Sequence, residues 1–479
     1  MGRLGLRTVI GIAVCALASR AAGALPQVDH AALARDLLAR DGLTSEDREP
    51  TDYLAYIRER SLTASLGAFH VSISRAALEE KRAARDFRDA CVSLVEVQER
   101  WLAWTGTDAE LDPAQDDLET LRSWVSKWNL RTLRKASAEG HSLASALLGV
   151  NAEMGAVLER LGAKSGESGG NPVKVVLAPS RGEFVGLCSL AGLSRPSLRS
   201  HLWVKGIEKW TWFFVEDVRF VAFEYATQSA STGDYSRGNR IDSRNPTGLR
   251  QHISQLAVNE MLRIRYGDDV PAAFVSGIAM NLVIDLFGEV NTRIEGDLRG
   301  RMTQAREMFI PGGNPTGGVL PKISAESRWR VDQGKFHFVR VLRQVQKAGG
   351  KRKRGVDKVR TFLLQSDNGK LAYALRAPVL GPSAVATVTP PAWAEADRLE
   401  FIRAYKSAFL HWLREHGTDD DGDAQAAFAR LLSALEEAGG EVSFEKTVEA
   451  IYGVPLSEAE LGEACLEGRF LRWLSKQRG

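Results

Sequence analysis

The residues best spaced for chemistry lie between Gln255 and Leu282, QLAVNEMLRIRYGDDVPAAFVSGIAMNL. Gln255 and Asn259 stand at i and i+4 of a predicted helix, so both project from one face. Two imidazoles at that spacing reach one metal ion, but neutral amides are poor zinc ligands beside imidazole. Leu256, next to Gln255, cannot accept a proton. His252 falls on the same face at i−3, while Glu260 lies about 12 Å further along the axis. His252, Gln255, Asn259 and Glu260 therefore read either as a polar pocket or as a buried stripe hydrogen-bonded within the core. No catalytic residue, metal or cofactor is assigned here.

The rest of the chain offers no second centre. Of its 8 histidines only His411 and His416 are close, and i, i+5 is not a chelating spacing. His411 is expected beside Trp412 or facing solvent. Asp419, Asp421 and Asp423 suggest a calcium loop, but Ala424 and Arg430 replace the glycine and glutamate such a loop needs, which leaves a solvated acidic loop. Lys351 to Arg354 form a local basic patch that reads as a solvated loop. Trp210, Trp212, Phe213, Phe214, Phe220 and Phe223 read as core strands rather than a ligand groove.

The elements that position these residues follow from periodicity. Arg3, Arg7, the apolar run Thr8 to Ala18 and Ala22-Gly23-Ala24 form a secretory signal over residues 1–24, with cleavage expected after Ala24. A retained membrane anchor is the alternative, although the run is short for a span. The mature chain is expected to have no transmembrane helix, and localisation is expected to be secreted, periplasmic or at the cell envelope. Cys91, Cys188 and Cys465 then remain, as one bridge and a thiol or as three buried thiols. Residues 25–161 are expected to be a helical region, with a turn at Asp112-Pro113. Residues 162–170 read as a Gly/Ser linker and domain boundary. A strand at Val173 to Ala178 follows, then Ser180 and Glu183 as a capping box, and strands near 209–215 and 219–226. Two helices at 249–265 and 271–287 end a domain spanning 171–300. Residues 301–479 form a mixed region, with a helix near Arg340, a hairpin over Thr361 to Arg376 turning at Asp367-Asn368-Gly369, and closing amphipathic helices. Composition is ordinary for a globular chain of 479 residues, and the net charge of +3 calls for no nucleic-acid partner.

Helix, short loop ending at Pro271 and second helix together resemble the peptidase MA-like family of gluzincin-type zinc proteases. Ser443-Phe444-Glu445, Tyr452-Gly453, Leu456 and Trp473-Leu474 add to the resemblance at the C-terminal end. It covers roughly residues 171 to 290 and, more loosely, 395 to 475. In that family the first helix carries HExxH and the second begins with the third-ligand glutamate. Here those positions are Gln255, Leu256, Asn259 and Gly277, a vestigial site with ligands and general base replaced. The resemblance implies an α+β protein: an N-terminal helical region, a gluzincin-like domain with a small sheet and two core helices, and a mixed α/β C-terminal region. It further implies a pseudoenzyme that binds an unknown protein or cell-envelope partner. Two alternatives stay open. One is an active hydrolase with a non-standard site, for which Glu260, Asp268, Asp269 and His252 are the first candidates. The other is a module that works through its N-terminal helices.

Overall fold

The structure, a computed structural model, describes residues 60–105, 108–139, 152–167, 172–178, 183–184, 187, 212–215, 220–224, 248–266, 270–288, 335, 338–339, 342–343, 395–418, 423–437, 443–456 and 464–477. The signal segment, the basic patch at 351–354, the hairpin expected at 361–376, Ser180, Cys188, Asp268 and Asp269 lie outside them. So do all but two residues of the helix expected over 340–347.

The chain enters a hairpin, β1 (Ser61–Ser65) and β2 (Phe69–Ser74), which pair antiparallel with Ser61 opposite Ser74. Gly67 supplies the left-handed turn residue at φ 73°. A Cβ there would lie 2.7 Å from Gln98 Oε1. That side chain closes the turn, accepting from the Ala68 N–H at 2.9 Å and donating to the Leu66 carbonyl at 2.7 Å.

Among the described residues the helices α1 (Lys81–Thr105), α2 (Asp108–Ser126), α3 (Leu130–Glu139) and α4 (Ala152–Glu167) follow. Next come β3 (Val173–Ala178), β4 (Trp212–Val215) and β5 (Phe220–Glu224). The sheet order is β1-β2-β3-β5-β4, with parallel pairing in the middle and an antiparallel strand at each edge. Parallel neighbours need a long crossover, and α1 to α4 form the one between β2 and β3.

The expectation of a purely helical region over 25–161 is corrected here, because β1 and β2 fall inside it. Residues 162–170 do not divide two cores. α4 runs on to Glu167, and β2 pairs with β3 across that boundary, Phe69 opposite Val173. Ala, Lys and Glu are good helix formers, and the glycines in the run cost only about 1 kcal/mol each. Nor does the chain turn at Asp112-Pro113, since α2 passes through both.

Further helices among the described residues include α5 (Gly248–Tyr266), α6 (Ala272–Phe287), α7 (Glu395–His416), α8 (Ala424–Glu437), α9 (Phe444–Tyr452) and α10 (Leu466–Lys476). Their ends follow local chemistry. Asp423 Oδ1 accepts from the Ala426 N–H at 3.0 Å, so this acidic-loop residue caps α8. Ser443 caps α9, and Gly453 at φ 70° ends it. Gly288 ends α6 at φ 76°.

A single apolar core runs from the hairpin to α10. α1 packs on α2, α5, α6 and α8, and α5 also lies against β3 and β5. Arg250 ties α5 to α1 by donating to Ser93 Oγ at 2.7 Å and pairing with Glu96. The assembly is α+β, mostly helical with a small mixed sheet. Among the described residues no helix is long and apolar enough to cross a membrane.

Candidate functional site

α5 is buried on more sides than an ordinary surface helix. Ile253, Leu256, Ala257, Val258, Met261 and Leu262 are all core residues. The same helix buries Gln251, Ser254, Gln255 and Glu260 completely, and leaves Asn259 4% exposed. A buried amide or hydroxyl must find a partner or lose about 1–3 kcal/mol. Gln251, Gln255 and Glu260 are partnered. Ser254 Oγ and Asn259 Nδ2 find no hydrogen-bond partner among the described residues. His252 lies on this helix with its side chain outside the described residues.

α6 is apolar nearly all round, as a helix enclosed by α1, α5 and α7 must be. Its three polar residues are aimed with purpose. Ser276 Oγ accepts from Lys406 Nζ of α7 at 2.9 Å, and Lys406 is only 1% exposed. Asn281 Nδ2 donates to the Gly277 carbonyl at 3.0 Å and to the Ser407 carbonyl at 2.9 Å. Its Oδ1 is sealed without a partner among the described residues. Asp285 receives Lys335 and, at 2.6 Å, Arg414 Nη1. Burial raises the Asp285 carboxyl, but the Arg414 and Lys335 cations more than offset this and hold it below the ordinary carboxylate value.

Gly277 lies within this seam. A Cβ added there would meet Leu410 Cγ and the Lys406 carbonyl oxygen, each at 3.1 Å. Positions 277 and 281, one turn apart, are thus committed to α7. Of the sequence-designated positions, Gln255, Leu256, Asn259 and Glu260 share α5, and Gly277 stands on α6, which packs against it.

Beyond the seam, Trp104, Ile278, Asn281, Leu410, His411, Arg414 and Phe428 line a crevice too narrow to hold a water molecule. Arg414 lies over the Trp104 ring at 4.1 Å and is held by Asp285 and Glu415. Each of its three guanidinium nitrogens therefore donates to a carboxylate. His411 packs on His416 and Trp473 rather than beside Trp412 or in open solvent. Cys91 and Cys465 are buried free thiols, and Cys465 Sγ caps α10 at 3.4 Å from the Gly468 N–H. Among the described residues no group of three His, Cys, Asp or Glu side chains is placed to hold a metal ion.

Sequence reasoning missed Lys406, Ser276, Asn281, Asp285 and Arg414. One signal was available. In Ala404-Tyr-Lys-Ser-Ala-Phe-Leu410 every residue is buried, and Lys406 is the single charge in an otherwise apolar and small stretch.

No family model matches the chain, and neither a curated protein nor a solved structure matches it.

Proposed function

We propose that the chain is a degenerate, catalytically inactive homologue of the gluzincin-type, peptidase MA-like metalloproteases. It is exported and acts by binding or in a structural role at the cell envelope. The observation that carries the reading is the packed pair α5 and α6, on which the resemblance would put Gln255 and Asn259 in place of the two histidine ligands, Leu256 in place of the general base and Gly277 in place of the third ligand. Those side chains can neither bind zinc well nor activate a water. The buried polar stripe on α5 supports the reading, because amides and a carboxylate are retained inside a core where apolar residues would be simpler. The closeness of α7 to Gly277 supports it too, since a ligating side chain at that position has no room.

The test uses the full chain, purified untagged after expression with zinc available. Metal content by mass spectrometry is expected to give well under one zinc per chain, with no cleavage of casein or a peptide library. Stoichiometric zinc together with proteolysis would refute the reading.

A further inference from the structure

The pair His411 and His416 has no part in the proposed function, yet it lies where α7 meets α10. Both rings flank Trp473 of α10, His411 at 6.3 Å and His416 at 5.5 Å between centroids. His411 is half-buried, and its Nδ1 is sealed without a hydrogen-bond partner among the described residues. His416 is exposed.

The charged groups around the His411 ring come from three directions. Lys335 approaches from the segment before α7, Arg414, Glu415 and His416 from α7 itself, and Asp285 stands behind on α6. Lys335 and Arg414 are neutralised by Asp285, and Arg414 also by Glu415. Gln425 of α8 donates to the other Glu415 oxygen at 3.0 Å. Both carboxylates are thus committed, and the cluster is balanced at neutral pH. A proton on His411 adds a charge whose nearby carboxylate, Glu415, is already shared by Arg414 and Gln425, and burial with the Lys335, Arg414 and His416 charges outweighs it.

We propose that the contact between α7 and α10 is an acid-responsive latch, in which a proton on His411 loosens the Trp473-bearing turn of α10. The direction follows from the surroundings. Burial first, then the Lys335 cation, lowers the imidazole from 6.5 to about 4. A ring freed into solvent returns to its ordinary value and takes a proton more readily. Linkage between those two values gives a roughly 20-fold rise in the opened population from pH 7 to pH 5. The Tyr405 hydroxyl donating to Glu467 at 2.7 Å, and Phe470 among Tyr405, Phe409 and Trp412, hold the start of α10, so the release is local.

The test is hydrogen exchange on the full chain at pH 7 and pH 5, corrected for intrinsic exchange rates. The opening equilibrium of residues 471–476 is expected to rise roughly 20-fold, with no comparable rise in residues 424–437 of α8. His411→Gln is expected to abolish the rise whatever its basal stability, because the readout is each protein's own pH dependence. His416→Gln is expected to retain most of it. An equal rise in residues 424–437, or a full rise surviving in His411→Gln, would overturn the latch. These results do not depend on the metal content or protease assay, so the latch and the peptidase-like reading stand or fall separately.

Discussion

Substituting Gly277 measures how tightly α6 and α7 close over the position that resembles a metal-ligand site. Gly277→Ala places a methyl 3.1 Å from both Leu410 Cγ and the Lys406 carbonyl oxygen. Ordinary contacts at a Cβ begin near 3.4 Å, so α7 must yield by a few tenths of an ångström. Overpacking of this kind costs about 1–3 kcal/mol. Replacing a glycine inside a helix returns about 1 kcal/mol. The expected net loss is therefore about 0–2 kcal/mol. Gly277→Leu has the same backbone gain but must place three further carbons against a backbone oxygen. The polar bonds of Asn281 and Ser276 to α7 resist separation of the helices. Its loss should exceed about 3 kcal/mol, among the larger effects of single substitutions. Urea unfolding followed by tryptophan fluorescence gives both values, with equal slopes confirming that the same transition is compared. A leucine variant no less stable than the alanine variant would refute a closed seam and reopen position 277 as a cavity wall.

Two further outcomes follow from buried charge. Burial, offset in part by Arg122 at 3.2 Å, raises the Glu99 carboxyl from 4.5 to about 7. A folded value above the unfolded one gives stability that is full below about pH 4.5 and lost as pH rises to 7. The full span is at most about 3 kcal/mol, and the solvent-exposed side of Arg122 reduces it. Glu99→Gln should flatten this slope in unfolding measured from pH 4.5 to 8, and an unchanged slope would refute the assignment. Asp285→Asn strips the shared counter-charge from Lys335 and Arg414 in a half-enclosed site and should cost about 2–4 kcal/mol. Pairing it with Arg414→Met in a double-mutant cycle should show coupling above about 0.5 kcal/mol, and strict additivity would mean the ion pair is absent in solution.

The local grammar of the chain fixed much of its helical part. Periodicity placed α5 and α6 within one residue of their observed ends, and Ser443, Gly453 and Pro271 acted where cap and turn chemistry put them. The short apolar run from Val173 to Ala178, just after the Gly/Ser-rich stretch, marked β3. These features depend on neighbours a few residues away, which is why sequence carries them. Ser61 to Ser74 did not read as a hairpin, although Gly67 stands at its turn, because its strands are short and rich in serine. Their pairing with β3 joins residues about a hundred apart, Phe69 to Val173, and no local pattern encodes such a partner. The candidate site divides the same way. Gln255, Asn259 and Gly277 were legible as positions on two helices. That Gly277 faces α7, that Ser276 receives a buried Lys406, and that Asp285 gathers Lys335 and Arg414 were decided only when residues more than a hundred apart, or 50 in the case of Lys335, packed together. A residue type fixes which chemistry a side chain can offer, but the packing of distant helices fixes whether that side chain meets water, a counter-charge or a carbonyl.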